Sequence, residues 1–147
     1  MAATLTAYDH LFGKTLDQSI QWSNTIKMAF LDSGYTPDVA HTTWADASAH
    51  EAASTPVMTL ATSVEAEGGV ISWKAANVIT PEMSATFRYG VIFQDTEETP
   101  ADNLLLAWIL FDSQSGGQDI TLVNMAFRFN WHTDGVFQFG PTSAMCA

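Results

Sequence analysis

The chain has 147 residues, 47% of them hydrophobic and 12% aromatic, which is enough for one domain with a single core and no stabilising disulfide or metal. It carries 5 Lys and Arg residues against 16 Asp and Glu residues, a formal net charge of −11. Nucleic-acid affinity comes largely from Lys and Arg displacing condensed counterions, so this charge argues against direct binding of DNA or RNA.

The N-terminal residues show no targeting signal. The segment MAATLTAYDH lacks both a basic region and an apolar core, so nothing directs the chain to a secretory pathway. No apolar run further along approaches the roughly 20 residues that a helix needs to span a bilayer. We therefore expect no membrane contact and a chain that stays in the cytosol until it assembles. Residues 1–16 join the core pattern weakly and predict an N-terminal arm, followed by a single domain over residues 17–147.

The next segments predict a hairpin and then a loop. Residues 17–31 alternate on either side of a Ser23-Asn24 turn, which is typical of two paired strands. Residues 38–53 are rich in Ala, His and Thr, and they predict one short helical turn or an ordered loop inserted between strands. Trp44 is the only large apolar residue of this loop, and we expect it to anchor the loop to the core because large aromatic side chains dominate burial energy.

The middle of the chain continues with short strands. Residues 57–62 predict a strand, Gly68-Gly69 a turn, and residues 70–78 an interrupted strand anchored by Trp73 and Val78. Residues 94–103 form an acidic loop in which Pro100 prevents continuation of a strand. We expect this loop to be solvated, and its spacing does not match a calcium-binding EF-hand loop. Its acidic residues are Asp95, Glu97, Glu98 and Asp102.

The last third has the clearest pattern, because aromatic and branched residues recur at every second position. No helix-length amphipathic segment separates these rows, and Asp134-Gly135 is a hairpin signal between the last two. The pattern predicts an all-β antiparallel sandwich, with a jelly roll among the possible arrangements. The rows are Ala85, Phe87, Tyr89, Val91 and Phe93; Leu104, Leu106, Trp108 and Leu110; Phe127, Phe129 and Trp131; and Phe137 with Phe139.

Two of these strands, residues 85–94 and 104–111, are apolar on both faces. The outer face of a single-domain sandwich is usually solvated, so both faces of these strands must be covered. Either they are central strands beneath residues 38–53, or their second face forms a subunit interface.

The sequence offers little catalytic chemistry. The spacing of His10, His41, His50 and His132 matches no recurring zinc pattern, and there is no nucleophile elbow. Cys146 is the only cysteine and can form no internal disulfide, so an exposed thiol without function is expected. Paired carboxylates that meet only in the fold remain open. We expect no enzyme activity, no metal and no cofactor.

The two arginines, Arg88 and Arg128, both lie within aromatic strands. A guanidinium in that position can stack on a neighbouring ring or pair with a carboxylate such as Asp112 or Asp119. An ion pair between subunits is the alternative.

A series of segments between residues 26 and 139 forms a recognisable succession. These segments are Ile26-Lys27-Met28-Ala29-Phe30-Leu31, Ser33-Gly34-Tyr35-Thr36-Pro37-Asp38, His41, Trp44-Ala45-Asp46, Ser48-Ala49-His50-Glu51, Thr86-Phe87-Arg88-Tyr89-Gly90-Val91-Ile92-Phe93, Asp95-Thr96, Leu106-Ala107-Trp108-Ile109-Leu110-Phe111-Asp112, Phe129-Asn130-Trp131 and Gly135-Val136-Phe137. In this order they resemble small structural proteins encoded in the head and tail modules of tailed bacteriophages.

The resemblance implies a virion structural protein. Because the chain is acidic and has no enzyme motif, we favour a capsid decoration or cement protein on the outer shell, assembled in the host cytoplasm. Its partners would be the major capsid protein and further copies of itself, with a trimer favoured. The alternative is a tail or baseplate module that binds a carbohydrate or receptor, with Trp22, Trp44 or Trp73 as a stacking platform. The expected interface residues are Tyr35, Trp44, Arg88, Asp95, Glu97, Glu98 and Arg128.

Overall fold

The computed structural model describes residues 2–140, and in them the chain is mostly β, with 42% strand and 12% helix. All strand pairs are antiparallel, which confirms the predicted all-β class; the jelly-roll arrangement stays a prediction. The strands are β1 (Thr4–Ala7), β2 (Ile26–Leu31), β3 (Met58–Leu60), β4 (Thr62–Glu67), β5 (Val70–Ala75), β6 (Val78–Ile79), β7 (Met83–Phe87), β8 (Tyr89–Gln94), β9 (Leu105–Leu110), β10 (Ile120–Met125), β11 (Arg128–Phe129) and β12 (Phe137–Phe139). The helical segments are α1 (Leu11–Leu16) and the short 3₁₀ helices Trp44–Asp46, Ser48–His50, Pro100–Asp102 and Gln114–Gly116.

The strands form two layers. The first layer is a five-stranded sheet in the order β1-β9-β8-β2-β3. In the second layer, β12, β11 and β10 run antiparallel along β5, β6 and β7 as an interrupted ribbon, and β4 pairs with the other side of β5. Interrupting the ribbon lets it twist across the first sheet while each short piece keeps its ladder hydrogen bonds.

The main core lies between these layers and is rich in aromatic rings. Phe111 is at its centre, with ring centroids 5.7 Å from Phe30, 5.5 Å from Phe87 and 5.1 Å from Phe127. Most of these contacts are tilted or edge-to-face, the arrangements that the ring quadrupole favours. Each such side chain contributes roughly 1.5–3 kcal/mol by leaving water, so this cluster holds the layers together.

The second face of the five-stranded sheet is covered by the chain itself. Val91, Phe93 and Leu105 on this face pack against Tyr8, Tyr35 and Ala47, with Trp44 and Trp108 at the edge of the cluster. The strands that are apolar on both faces are therefore central strands beneath residues 38–53, the first of the two alternatives. Burial of this face within one chain removes the argument that it must be a subunit interface.

Residues 85–94, predicted as one long strand, are two strands in different layers. β7 pairs with β10, whereas β8 pairs with β2 and β9, and Arg88 lies at the crossing. Phe87 faces the main core, but Val91 and Phe93 face the second cluster. The aromatic row is continuous in sequence because the odd-numbered residues face an apolar cluster on both sides of Arg88: the main core before it and the second cluster after it.

β9 also departs from the predicted alternation, which put Leu104, Leu106, Trp108 and Leu110 on one face of the strand. The pairing with β8 shifts between Ile92 and Phe93, which is the signature of a β-bulge. The bulge sends Leu106 into the main core, while Leu105 and Trp108 face the second cluster.

Both predicted hairpins are wrong. In residues 17–31 only β2 is a strand, and both of its edges are already taken by β3 and β8, so residues 17–25 have no place beside it. The turn before Gly135 forms, with the Gly135 N–H donating to the His132 carbonyl at 3.0 Å. It does not reverse the chain, however, because β11 and β12 continue in one direction along β6 and β5.

The described part of the predicted N-terminal arm, residues 2–16, is built into the domain. β1 pairs with β9 as an edge strand of the five-stranded sheet. Tyr8 and Leu11 are buried, and α1 carries Leu11 into the main core. Short, weakly apolar edge strands such as β1 leave little signal in a sequence, and the same holds for the mostly exposed strand β4.

Candidate functional site

Tyr35 is enclosed by the fold. Its side chain is only 2% exposed, and its hydroxyl hydrogen-bonds the Tyr8 hydroxyl at 2.7 Å and the His41 Nδ1 at 3.0 Å. Burial raises the pKa of both tyrosine hydroxyls, and for Tyr8 the hydrogen bond with Tyr35 raises the pKa further. Tyr35 was expected at an interface, yet its ring and hydroxyl are occupied within the chain.

Trp44 and Asp46 fasten the loop over the second face of the sheet. The Trp44 ring stacks on Phe93 with centroids 4.8 Å apart, as the predicted anchoring role requires. The Asp46 carboxylate accepts hydrogen bonds from the N–H groups of Thr42 at 2.9 Å and Thr43 at 3.2 Å. These bonds lower the pKa of Asp46, the Thr42 bond most strongly. The polar groups of this loop therefore serve its own fold.

The acidic loop, residues 94–103, is organised by a buried amide. Asn103 is 1% exposed; its Oδ1 accepts from the N–H groups of Thr96 at 3.1 Å and Glu97 at 3.0 Å. Its Nδ2 donates to Asp95 Oδ1 at 2.9 Å. Nothing in the sequence distinguishes Asn103 from an ordinary loop asparagine, because its role depends on burial.

Asp95 ties this loop to the sheet. Its Oδ2 lies 2.5 Å from Lys27 Nζ of β2, and this contact, followed by the Asn103 bond, lowers the pKa of Asp95. Glu97 and Glu98 are exposed, and neither makes an ion pair within residues 2–140. Of the three expected interface residues in this loop, Asp95 is thus bonded within the fold, whereas Glu97 and Glu98 are exposed to solvent.

Arg88 makes one of the predicted contacts. Its Nε donates to Asp119 Oδ1 at 2.8 Å, which ties the crossing between β7 and β8 to the start of β10. Both side chains are partly exposed, so this pair contributes at most about 1 kcal/mol.

Arg128 is among the residues that line a cleft at one end of the molecule. The cleft has a volume of about 550 Å³ and lies between the open edges of the two layers. Leu5 and Ala3 form one wall, and Phe129 and Trp131 belong to the other. Arg128 is exposed, and its Nε donates to Asn130 Oδ1 at 3.1 Å. The sequence singled out Arg128 but not the cleft, because its walls come from the two ends of the chain.

The histidines and carboxylates do not converge. The Nδ1 of His50 lies 3.6 Å from Asp32 and that of His132 lies 3.3 Å from Asp134, and both pairs are isolated. Over residues 2–140, no three His, Cys, Asp or Glu side chains are placed to hold a metal ion. Cys146 lies outside the described residues. Within the same range, no helix has the length and apolar character to cross a membrane.

Comparison of the chain with protein-family models, with curated proteins and with solved structures finds no match.

Proposed function

We propose that the chain is a structural protein of a tailed-bacteriophage virion, and specifically a decoration or cement protein on the outside of the capsid. One observation carries this proposal: most of the segments that resemble phage structural proteins come together in and over the five-stranded sheet, while residues 129–131 and 135–137 lie across the main core from it. Tyr35, His41, Trp44 and Asp46 form the cover of the five-stranded sheet. The other segments include the central strands β2, β8 and β9 beneath them.

The chemistry of this unit supports a scaffold. Its aromatic rings stack on the sheet, and its carboxylate and hydroxyl groups bond to its own backbone and side chains. Groups committed in this way rigidify a fold, because a buried polar network that is fully hydrogen-bonded favours one arrangement. The motif residues therefore share a role in holding the fold together. A rigid β-domain suits a protein that is repeated over a shell.

The charge supports the outer surface over the lumen. A chain with a formal net charge of −11 is repelled by packaged DNA, whose phosphates attract cationic proteins. On the outside of a capsid, many weak contacts add up through avidity. A protein that binds only the assembled shell stabilises it by mass action.

The alternative of a carbohydrate-binding tail module receives less support. Trp22 and Trp73 are 2% and 5% exposed and stack on each other at 4.9 Å. Trp44 packs on Phe93. Saccharide stacking needs an accessible ring, whereas Trp22 and Trp73 are buried and the partly exposed Trp44 already stacks on Phe93.

Copy number in the virion tests the proposal. We expect quantitative mass spectrometry of purified virions to find this chain in near-stoichiometric ratio to the major capsid protein. We also expect added protein to bind shells that lack it and to raise the temperature at which they release DNA. A few copies per virion would assign it to the tail or a vertex, and absence from virions would refute a structural role.

A further inference from the structure

The cations of this chain are distributed unevenly. Of its 5 Lys and Arg residues, Lys27, Lys74 and Arg88 each pair with a carboxylate of the same chain. Within residues 2–140, the partly exposed Lys14 and the exposed Arg128 have no carboxylate in ion-pair distance. In a chain with 16 acidic residues, the most accessible arginine is thus left without an anion.

The position of Arg128 makes this significant. It lines the cleft of about 550 Å³, as do Phe129 and Trp131. In β11, Arg128 is paired with the exposed Ile79, whereas Phe129 is paired with the buried Val78 and points towards the main core. A carboxylate at the rim of the cleft would meet the guanidinium and form a charge-assisted hydrogen bond, and an apolar group beside it would pack between Leu5 and Phe129. The cleft therefore fits a group that combines a carboxylate with a compact apolar surface.

The acidic loop has these two features. Glu97 and Glu98 are exposed, and Pro100, which follows two residues later, is exposed as well. The loop is already ordered, because Asn103 holds the N–H groups of Thr96 and Glu97. A preorganised loop loses little conformational entropy on binding, so its contacts are converted efficiently into affinity.

The loop and the cleft of one chain cannot meet. The loop leads into the start of β9, whereas Ile109 near the end of β9 lines the cleft. At about 3.3 Å per residue, the strand separates them by roughly 15–20 Å.

We propose that the acidic loop of one copy inserts into the cleft of a second copy. Glu97 and Glu98 pair with Arg128, and Pro100 packs against Phe129 and Trp131. The contact joins two different surfaces, so it is head-to-tail, and repetition closes a ring or extends a filament. The inference does not rest on a role in the virion, since it concerns the protein alone.

Sedimentation equilibrium of the full chain, over a micromolar concentration range, tests the proposal. We expect the wild type to self-associate at physiological ionic strength, where the repulsion between two chains of formal net charge −11 is screened. Arg128→Glu, and separately Glu97→Lys with Glu98→Lys, should each raise the dissociation constant at least about tenfold. Combining all three changes in one chain restores opposite charges across the contact and should restore association.

Matched controls separate the contact from a general effect of charge. Lys14→Glu changes the net charge as Arg128→Glu does, and Glu67→Lys with Glu82→Lys matches the loop variant. Both controls alter exposed or partly exposed side chains elsewhere, and both should associate like the wild type. Circular dichroism confirms that every variant is folded.

Three results would overturn the proposal. One is a wild-type chain that stays monomeric throughout. The second is equal association of the Arg128 and Lys14 variants, and the third is a triple variant that remains as weak as its parents. Were the monomer instead to bind an acidic saccharide or a capsid-protein peptide through Arg128, the cleft would belong to that ligand and not to a second copy.

Discussion

Single residues decide how the aromatic core packs on the five-stranded sheet. Gly90 of β8 faces Phe111, and a Cβ built on Gly90 would lie 2.6 Å from the Cζ of that ring. The ring cannot retreat, because Phe30, Phe87 and Phe127 surround it. The close approach of backbone and ring is thus a requirement of the core and not a feature of a turn.

Gly90→Ala should therefore destabilise the protein by about 1–3 kcal/mol, the usual range for overpacking a close-packed core. Urea unfolding followed by tryptophan fluorescence measures the change. Gly13→Ala is the control: a Cβ on Gly13 of α1 meets nothing within 4 Å, so the substitution should be neutral or stabilise by roughly 0.5–1 kcal/mol. Equal effects at the two positions would contradict this account of the core.

The hydroxyls of Tyr8 and Tyr35 make stability depend on alkaline pH. Burial raises both pKa values in the folded state, whereas in the unfolded chain they lie near 10. Below pH 10 both states hold these protons, and the full stability is present. Above it the unfolded state loses protons first, so the free energy of unfolding falls as pH rises.

Tyr8→Phe should weaken this dependence between about pH 10 and 11.5, although it also lowers stability at neutral pH by removing a buried hydrogen bond. Urea unfolding at several pH values, with tyrosinate absorbance recorded in parallel, measures both effects. If wild type and variant lost stability in parallel above pH 10, the buried hydroxyl of Tyr8 would not be the cause.

At the scale of elements, the N-terminal segment is part of the fold. β1 completes the five-stranded sheet, and Tyr8 and Leu11 fill the two clusters. A chain that starts at residue 17 should therefore melt at a lower temperature or fail to fold, measured by circular dichroism. Leu11→Ala should cost about 2–5 kcal/mol, whereas Phe12→Ala, at a position 57% exposed, should cost much less. A truncated chain as stable as the full one would restore the predicted arm.

The sequence predicted elements where the apolar pattern alone decides them. The period of two in residues 85–139 gave the all-β class, and the glycine pair at residues 68–69 gave a turn in which both residues have positive φ. The sequence-based prediction failed where the choice of partner strand determines the structure. The crossing at Arg88 and the bulge at Leu106 keep the apolar alternation and change only which layer each residue faces. Asp134-Gly135 has hairpin chemistry, but the partner of β12 is β5.

The candidate site shows the same division. Arg128, Glu97 and Glu98 are visible in the sequence as a rare cation and a cluster of acids. The cleft is not visible, because Leu5 and Trp131 lie far apart in the chain and meet only at the open edge of the two layers. Tyrosine is a residue type expected at interfaces, yet Tyr35 is buried against Tyr8 and belongs to the interior.

At the scale of the whole molecule, repulsion between carboxylates opposes folding. The formal net charge is −11, and compaction brings like charges closer together. The ion pairs Lys27–Asp95, Lys74–Glu65 and Arg88–Asp119 oppose this effect, but partly exposed pairs contribute at most about 1 kcal/mol each. Screening should therefore weaken the net repulsion more than the pairs.

We accordingly expect the midpoint of urea unfolding to rise between low and physiological ionic strength, where the Debye length shortens to about 8 Å. Sodium chloride at neutral pH is the suitable salt, since sulfate also strengthens hydrophobic burial. Replacing the exposed Glu67 and Glu82 by Gln should raise the midpoint at low salt and reduce its salt dependence. The measurement belongs at a protein concentration where the chain is monomeric, because self-association would add its own stabilisation. A midpoint that falls as salt is added would mean that the three ion pairs outweigh the repulsion, and that the acidic surface is locally balanced despite its total charge.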